Sequence, residues 1–310
     1  MKYIFGPVNS RRLGVSLGID VIPFKLCSLN CVYCECGATT TLTSEIKEYI
    51  PSEDVIRELD SVLSKSPLLD VITFSGSGEP TLNSGIGKII GHIKERYPQY
   101  KVVVLTNSTT LHMADIRKKI IQADIIVPSL DAASEEVFER IMRPAPGVRA
   151  SEIIEGLVSL RREFAGRIYL EIFIIEGIND SDSELRLLKE AAERISPDEI
   201  HLNSLDRPGA EKWVKPVSPE RMREIKKFFE PLPARVIGRA AVPAIVSTYN
   251  PELEKKLFEY LSEEVLSAEK IAEEIGERVV DVIRAGEKLA EKGKAGITGG
   301  DNPGIYRVKK

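Results

Sequence analysis

The chain reads as an α/β protein: a partial (β/α)6 TIM-like barrel over residues 1–245, then a small C-terminal winged-helix domain over 246–310. Three observations predict this. Short apolar runs alternate with longer amphipathic stretches from about residue 10 to 240, the pattern of a parallel sheet with helices outside it. The alternation repeats about six times, too few for a closed eight-stranded barrel. From about residue 250 the rhythm changes to closely spaced helices followed by two short apolar segments around a turn.

The elements follow in order. LGVSLGIDVI (13–22) is the first strand and leads into a cysteine-rich loop. PSEDVIRELDSVLSKS (51–66) is a helix with Ser52 as N-cap, because a serine oxygen can accept from an orphan backbone N–H. DVITF (70–74) is a strand that runs into a glycine-rich turn, and 85–98 is a helix closed by Pro98. KVVVLT, DIIVP, IYLEIFII and EIHLN are the remaining strands of the repeat, at 101–106, 124–128, 168–175 and 199–203. Helices over 111–122, 134–142 (capped by Ser134), 151–164 and 182–195 stand between them. A helix over 218–230 and an extra strand, ARVIG (234–238), close the repeat.

The C-terminal segment reads as three helices, over 250–265, 267–276 and 277–293, then a two-stranded wing over 294–308. Asn250 and Pro251 begin the first, and Ser267 caps the second, which Gly276 stops. Arg278, Arg284, Lys288, Lys292 and Lys294 lie on or near the third, with Val279, Val282, Ile283 and Leu289 as its core face. Nucleic-acid binding, docking of a protein or peptide, and structural closure are the three readings of such a module.

Composition narrows the class. The formal net charge of −4 gives no global pull toward nucleic acid or membrane. No signal-peptide run opens the chain, and no stretch reaches the roughly 18 uninterrupted apolar residues of a membrane span. Four cysteines, all in one stretch, fit a reducing cytoplasm.

Those cysteines carry the chemistry. Cys27, Cys31 and Cys34 stand in KLCSLNCVYCECG with the spacing C-x3-C-x2-C, and Cys36 follows two residues later. Tetrahedral zinc asks for four ligands, usually in two separated pairs, and a disulfide framework belongs to small secreted chains. Three thiolates in one loop fit a [4Fe–4S] cluster with three irons held by protein and one open to a small molecule. Zinc and plain buried cysteines are the competing readings. Cys36 is a half-buried loop residue, a fourth ligand in a resting state, or a hydrogen-atom donor facing substrate.

With Tyr33 just before the third cysteine, this motif resembles that of the radical S-adenosylmethionine (SAM) enzymes. The resemblance implies that the open iron binds the amino and carboxylate groups of SAM. It implies reductive cleavage to methionine and a 5′-deoxyadenosyl radical, which abstracts hydrogen from a substrate. An electron donor such as ferredoxin or flavodoxin goes with that chemistry.

The strand ends turn polar and glycine-rich where such barrels place their chemistry. Gly76, Ser77, Gly78 and Glu79 resemble the family's GGE-type motif for the SAM amino group, with Ser77 in place of the first paired glycine. The competing reading is an ordinary strand-to-helix turn. Asn107, Ser129 and Asp131 suit the ribose hydroxyls, against helix capping for Asp131; Arg143 suits the SAM carboxylate. Glu171 and Asn203 are polar positions in apolar strands and would meet SAM or substrate, or else be satisfied barrel groups. His112 and His201 have no ligand partner at a sensible spacing and read as surface or core residues.

GPVNSRRLGVSLGID, FSGSGEPTL and HLNSLDRPG are similar together to one branch of that family, which includes the wyosine-type tRNA-modifying enzymes. The likeness covers about residues 5–240. It departs in one respect: no cysteine precedes Cys27, so the second cluster of archaeal wyosine-type enzymes has no ligands there. Arg11, Arg12, Asp206 and Arg207 lie near strand ends and would face substrate, arginines suiting a phosphate or carboxylate, or would close the barrel ends by ion pairs. The branch and the winged domain point to a macromolecular substrate, RNA or peptide. An iron–sulfur redox-sensing DNA-binding regulator and a glycyl-radical-type activating enzyme are the alternatives. The strand-end set disfavours the first and the C-terminal domain the second.

Overall fold

A computed structural model describes residues 2–10, 12–237, 251–262, 264–277, 282–283, 285–286, 289–290, 292–298 and 304–308. Arg11, Asn250, Arg278, Val279, Arg284, Lys288 and the expected boundary at 245/246 lie outside the described residues. The chain forms two units, one of residues 1–5, 17–65 and 71–242, the other of 6–16, 66–70 and 243–310.

The chain opens with β1 (Ile4–Ser10) and β2 (Gly14–Ile19). The first of these was not foreseen, because IFGPVNS has neither strict alternation nor a long apolar run. Two short strands, β3 (Leu26–Cys27) and β4 (Thr41–Leu42), pair in parallel and close the cysteine loop between them. Next come α1 (Ser52–Leu63), β5 (Val71–Phe74), α2 (Ile86–Arg96), β6 (Lys101–Thr106), α3 (Ala114–Ile120) and β7 (Ile125–Pro128). They are followed by α4 (Glu135–Met142), α5 (Ala150–Glu163), β8 (Arg167–Phe173), α6 (Asp182–Ile195), β9 (Glu199–Asn203), α7 (Pro219–Phe228) and β10 (Ala234–Val236).

The strands lie in the order β1-β2-β5-β6-β7-β8-β9-β10, and each neighbouring pair from β5 to β10 is parallel. Six strands, β2 and β5–β9, thus follow chain order around an open barrel, with ARV added at the far edge. Val71, Ile72, Phe74, Val102–Val104, Ile126, Leu170 and Ile172 are buried. Strands covered on both faces need continuous apolar runs, and these have them.

Local signals held at several helix starts. Ser134 Oγ accepts from Val137 N at 3.3 Å and Ser181 Oγ from Glu184 N at 3.3 Å. Ser52 is a correction. Pro51 occupies the cap position with no side-chain bond, while Ser52 is the first helical residue, and its N and Oγ donate to Glu48 Oε1 at 2.9 and 2.5 Å. A carboxylate one turn back outcompetes the helix for that hydroxyl.

In the second unit, α8 (Pro251–Tyr260), β11 (Leu266–Ser267), α9 (Ala268–Ile275), β12 (Ala295–Ile297) and β13 (Gly304–Arg307) form helices and a three-stranded antiparallel sheet, β11-β13-β12. Ser267 caps α9 through Lys270 N at 3.2 Å, and Gly276 ends it with φ +69°. Leu253, Leu257, Ile271, Val282, Leu289 and Ile305 belong to one buried cluster of this unit's own. Lys292 donates to Glu254 at 2.6 Å, and Lys294 lies 5.5 Å from the Phe258 ring centre.

Candidate active site

The cysteine loop is built on backbone bonds before any ligand enters. Thr40 N and Thr41 N donate to Lys25 O at 3.0 and 3.1 Å, and Thr43 N to Cys27 O at 2.9 Å, so the loop returns to its own start. Its outer turn rests on the C-terminal end of α4: Asn30 N meets Met142 O and Val32 N meets Ile141 O, each at 2.9 Å. Leu29 and Val32 are buried, while Cys27, Cys31 and Cys34 are half-buried and Cys36 is exposed. Apolar residues between the cysteines thus anchor the loop.

Burial pushes the Cys27 thiol up to about 11, and it also pushes Cys31 well above the usual thiol range. A hydrogen bond from Cys36, supported by the Lys25 amine, lowers Cys34 to about 5. The same contact, with burial, drives Cys36 far up. Thiols that resist ionisation when alone are deprotonated on binding metal, and the positive charge of iron would do so here. Among the described residues, no three acid, histidine or cysteine side chains converge on one ion. A cubane cluster meets each cysteine at a different iron, so its ligands need not converge on one point.

The Gly76–Glu79 turn reaches this loop directly. A Cβ on Gly78 would stand 1.9 Å from Leu26 O, one residue before Cys27, so only glycine allows the approach. Ser77 N and Oγ both donate to Asp20 Oδ2 at 3.0 Å. Glu79 is 2% exposed, and its carboxylate faces inward. It accepts from Thr81 N at 3.1 Å, Thr81 Oγ1 at 2.5 Å, Thr106 Oγ1 at 2.7 Å and Asn107 N at 2.6 Å. Burial raises its pKa, and those four donors oppose the rise. Glu79 is therefore a bracket tying the end of β5 to the end of β6. Asn107, so held, donates its amide to Ser28 Oγ at 3.0 Å and to Cys27 Sγ at 3.4 Å.

The later strand ends continue the row. Ser129 N donates to Thr106 O at 2.9 Å, and Ser129 bridges to Glu171 on β8. Asn203 pairs with Phe173 in register and accepts Ile174 N at 2.7 Å. Ser129, Glu171 and Asn203 are half-buried. Asp131 is 2% exposed and accepts from Tyr33 Oη and, at 2.6 Å, from Phe173 N. Tyr33 stacks on Phe173 with ring centres 4.0 Å apart and planes 12° apart. Burial raises Asp131 to about 6. In this arrangement Asp131 and Tyr33 satisfy each other, so the pair holds the cysteine loop just before Cys34.

A loop after β9 lies on the same turn. A Cβ on Gly209 would stand 2.9 Å from the Tyr33 backbone, Glu211 N donates to Val32 O at 2.9 Å, and Arg143 Nη1 donates to Glu211 at 2.5 Å. Asp206 is half-buried and Arg207 exposed in that loop. Arg12 belongs to the other unit. His201, buried, contacts Glu199 at 2.9 Å, and His112 Nδ1 contacts Thr109 O at 2.9 Å. Sequence reasoning missed Lys25, Asp20, Phe173 and Glu211. Only Lys25, the one charge in PFKLC, left a signal.

The family model described as Radical SAM superfamily matches residues 21–188, which span the cysteine loop, the glycine turn and Asp131. The chain belongs to the radical SAM superfamily. Membership makes it an enzyme and implies a [4Fe–4S] cluster and SAM as cofactors; Cys27, Cys31, Cys34 and the Gly76–Glu79 turn are residues of the right chemistry to hold them. A protein called GTPase Obg from Brachyspira hyodysenteriae is 38% identical over 229 residues, 74% of this chain but 34% of that protein. The chain thus spans about a third of that relative's length. A UPF0026 protein of Methanocaldococcus jannaschii is 31% identical over 241 residues, 77% of this chain and 73% of the relative. A radical SAM methyltransferase structure from Sphaerobacter thermophilus aligns with a TM-score of 0.54 at 18% identity, covering 71% of this chain and 66% of that one. At that identity the likeness shows the fold. Among the described residues, no helix is long and apolar enough to cross a membrane.

Proposed function

We propose that this radical SAM protein cleaves SAM reductively and abstracts a hydrogen atom from a macromolecular substrate, RNA or peptide, in the cytoplasm. The observation that carries the reading is the contact of the glycine turn and Asn107 with the cysteine loop, through Gly78 at Leu26 O and Asn107 at Cys27 Sγ. A cluster and a methionine moiety chelated to it need such adjacency. The bound pair supplies one-electron cleavage of SAM to methionine and a 5′-deoxyadenosyl radical.

The chain's own residues supply placement. Cys27, Cys31 and Cys34 hold the cluster, and Cys36 stays outside it as an exposed loop thiol. The backbone of Gly76–Glu79 takes the SAM amino group, while Glu79 keeps the turn in register with β6. Asn107, Ser129, Glu171 and Asn203 line the strand ends toward the nucleoside and substrate. Arg143 and Glu211 tie the loop after β9 to α4, so Asp206 and Arg207 border the open end. A small one-electron donor of the ferredoxin or flavodoxin class reduces the cluster. The order α8, α9, helical residues at 282–283, 285–286 and 289–290, then β12 and β13 supports a winged-helix module. Engagement of Lys292 and Lys294 inside that unit favours a docking or structural role over DNA binding.

The test is anaerobic. Protein reconstituted with iron and sulfide is mixed with SAM and dithionite, and 5′-deoxyadenosine is sought by mass spectrometry. Its formation is expected and rises with the true substrate. A loaded cluster that leaves SAM intact, alone and with pools of RNA and peptide, overturns the reading.

A further inference from the structure

Lys25 is 2% exposed, two residues before the first cysteine. Its backbone is left-handed, with φ +57°, a conformation that strains a residue bearing a Cβ. Three donors hold it there through its carbonyl: Thr40 N at 3.0 Å, Thr41 N at 3.1 Å and Thr40 Oγ1 at 3.3 Å. So fixed, the side chain folds under the loop, and Nζ lies 3.2 Å from Cys34 Sγ. Lysine is among the residue types least often buried unless paired. Glycine would relieve the backbone at this position, and an apolar residue would avoid burying the amine. A buried, strained lysine aimed at a sulfur therefore calls for a partner that rewards charge.

We propose that Lys25 is a positioning and tuning residue for the cluster: its amine donates an N–H···S hydrogen bond to Cys34 and raises the cluster's reduction potential. The inference rests on the cluster assigned under the proposed function. Reduction adds a negative charge shared among iron, sulfide and thiolate sulfur, and hydrogen bonds and net charge at the sulfurs set such potentials. A cation 3.2 Å from one ligand sulfur favours the reduced form over the oxidised one. The electron comes from the external donor, and no bond is made or broken at Lys25.

Reconstituted protein without SAM is titrated potentiometrically, with the reduced cluster followed by electron paramagnetic resonance and iron counted per chain. Lys25→Met keeps an unbranched side chain, one atom shorter, and the backbone strain but removes the donor and its charge. The expected result is a tenfold shift of the reduction equilibrium toward the oxidised form, about 59 mV for a one-electron couple. Lys25→Arg should stay within threefold of the parent. If Lys25→Met loads fewer irons than the parent, Lys25→Gln is read in its place. Equal potentials for the parent and the neutral variant overturn the proposal. So does loading by the two cationic side chains only, which would assign Lys25 to cluster assembly. A parent protein that takes up iron and sulfide yet shows no reducible cluster would instead sink the underlying reading.

Discussion

Replacing Glu79 by Gln probes the bracket between β5 and β6 with minimal change of shape. Four donors converge on the carboxylate, three of them on Oε1 and Asn107 N alone on Oε2 at 2.6 Å. Glutamine keeps its oxygen on the three-donor side, because the opposite flip would break more bonds. Its NH2 then faces the Asn107 N–H, donor against donor. One hydrogen bond to a charged group is lost, roughly 1.5–3 kcal/mol, and a buried N–H is left without an acceptor, roughly 1–3 kcal/mol more. Removing a buried charge returns part of this, since burial opposes the ionised form of Glu79. A net loss of about 2 kcal/mol is expected, which lowers the melting temperature by about 4–8 °C for a unit of this size. Asn107 is the same residue whose amide reaches Cys27 Sγ at 3.4 Å, so cluster loading and 5′-deoxyadenosine formation should both fall. The assays are a thermal melt, an iron count and anaerobic turnover. An unshifted melt with unchanged turnover would refute the bracket.

Three further outcomes follow from the same geometry. Gly78→Ala would place a Cβ 1.9 Å from Leu26 O, a backbone atom that cannot swing aside. A displacement near 1 Å at a reacting centre costs about 100-fold, so 5′-deoxyadenosine formation should drop at least tenfold while iron remains; an unchanged rate would count against the role of the turn. Cys36→Ala should retain about four irons per chain, because three thiolates suffice for a cubane with one open iron. Cys27→Ala, Cys31→Ala and Cys34→Ala should not, and iron loss in the Cys36 variant would make it a ligand. Asp131, raised to about 6, binds its proton more tightly folded than unfolded, where a carboxyl sits near about 4. Stability from this group is therefore present at low pH and is lost as pH rises from about 4 to about 6, by up to about 3 kcal/mol. Urea unfolding of wild type should show this fall relative to Asp131→Asn; parallel pH curves for the two would show that Asp131 does not titrate there.

Much of the barrel was legible because its causes are local. Val71–Phe74 and Val102–Val104 are apolar runs, and a strand covered on both faces admits little else. Ser134 and Ser267 cap their helices through backbone groups three residues away, a distance that sequence can read. Ser52 shows the limit: Glu48 took its hydroxyl, and two local signals competed where only the fold chose between them. Arg11 and the expected boundary at 245/246 fall outside the described residues.

By itself, the sequence determined the three-cysteine motif, the succession of strands that carries polar residues to one end of the sheet, and the glycine-rich turn after the second strand. These depend on spacing and side-chain type within a few residues of chain. Tertiary structure alone decided what the polar groups do. Glu79 joins Thr106 and Asn107 across 27 and 28 residues, Tyr33 meets Asp131 across 98, and Arg143 meets Glu211 across 68. It also decided that Lys25 is buried against Cys34. A carboxylate or an amine has several partners within its chemistry, and only packing in three dimensions brings one of them within hydrogen-bond reach and excludes water from the rest.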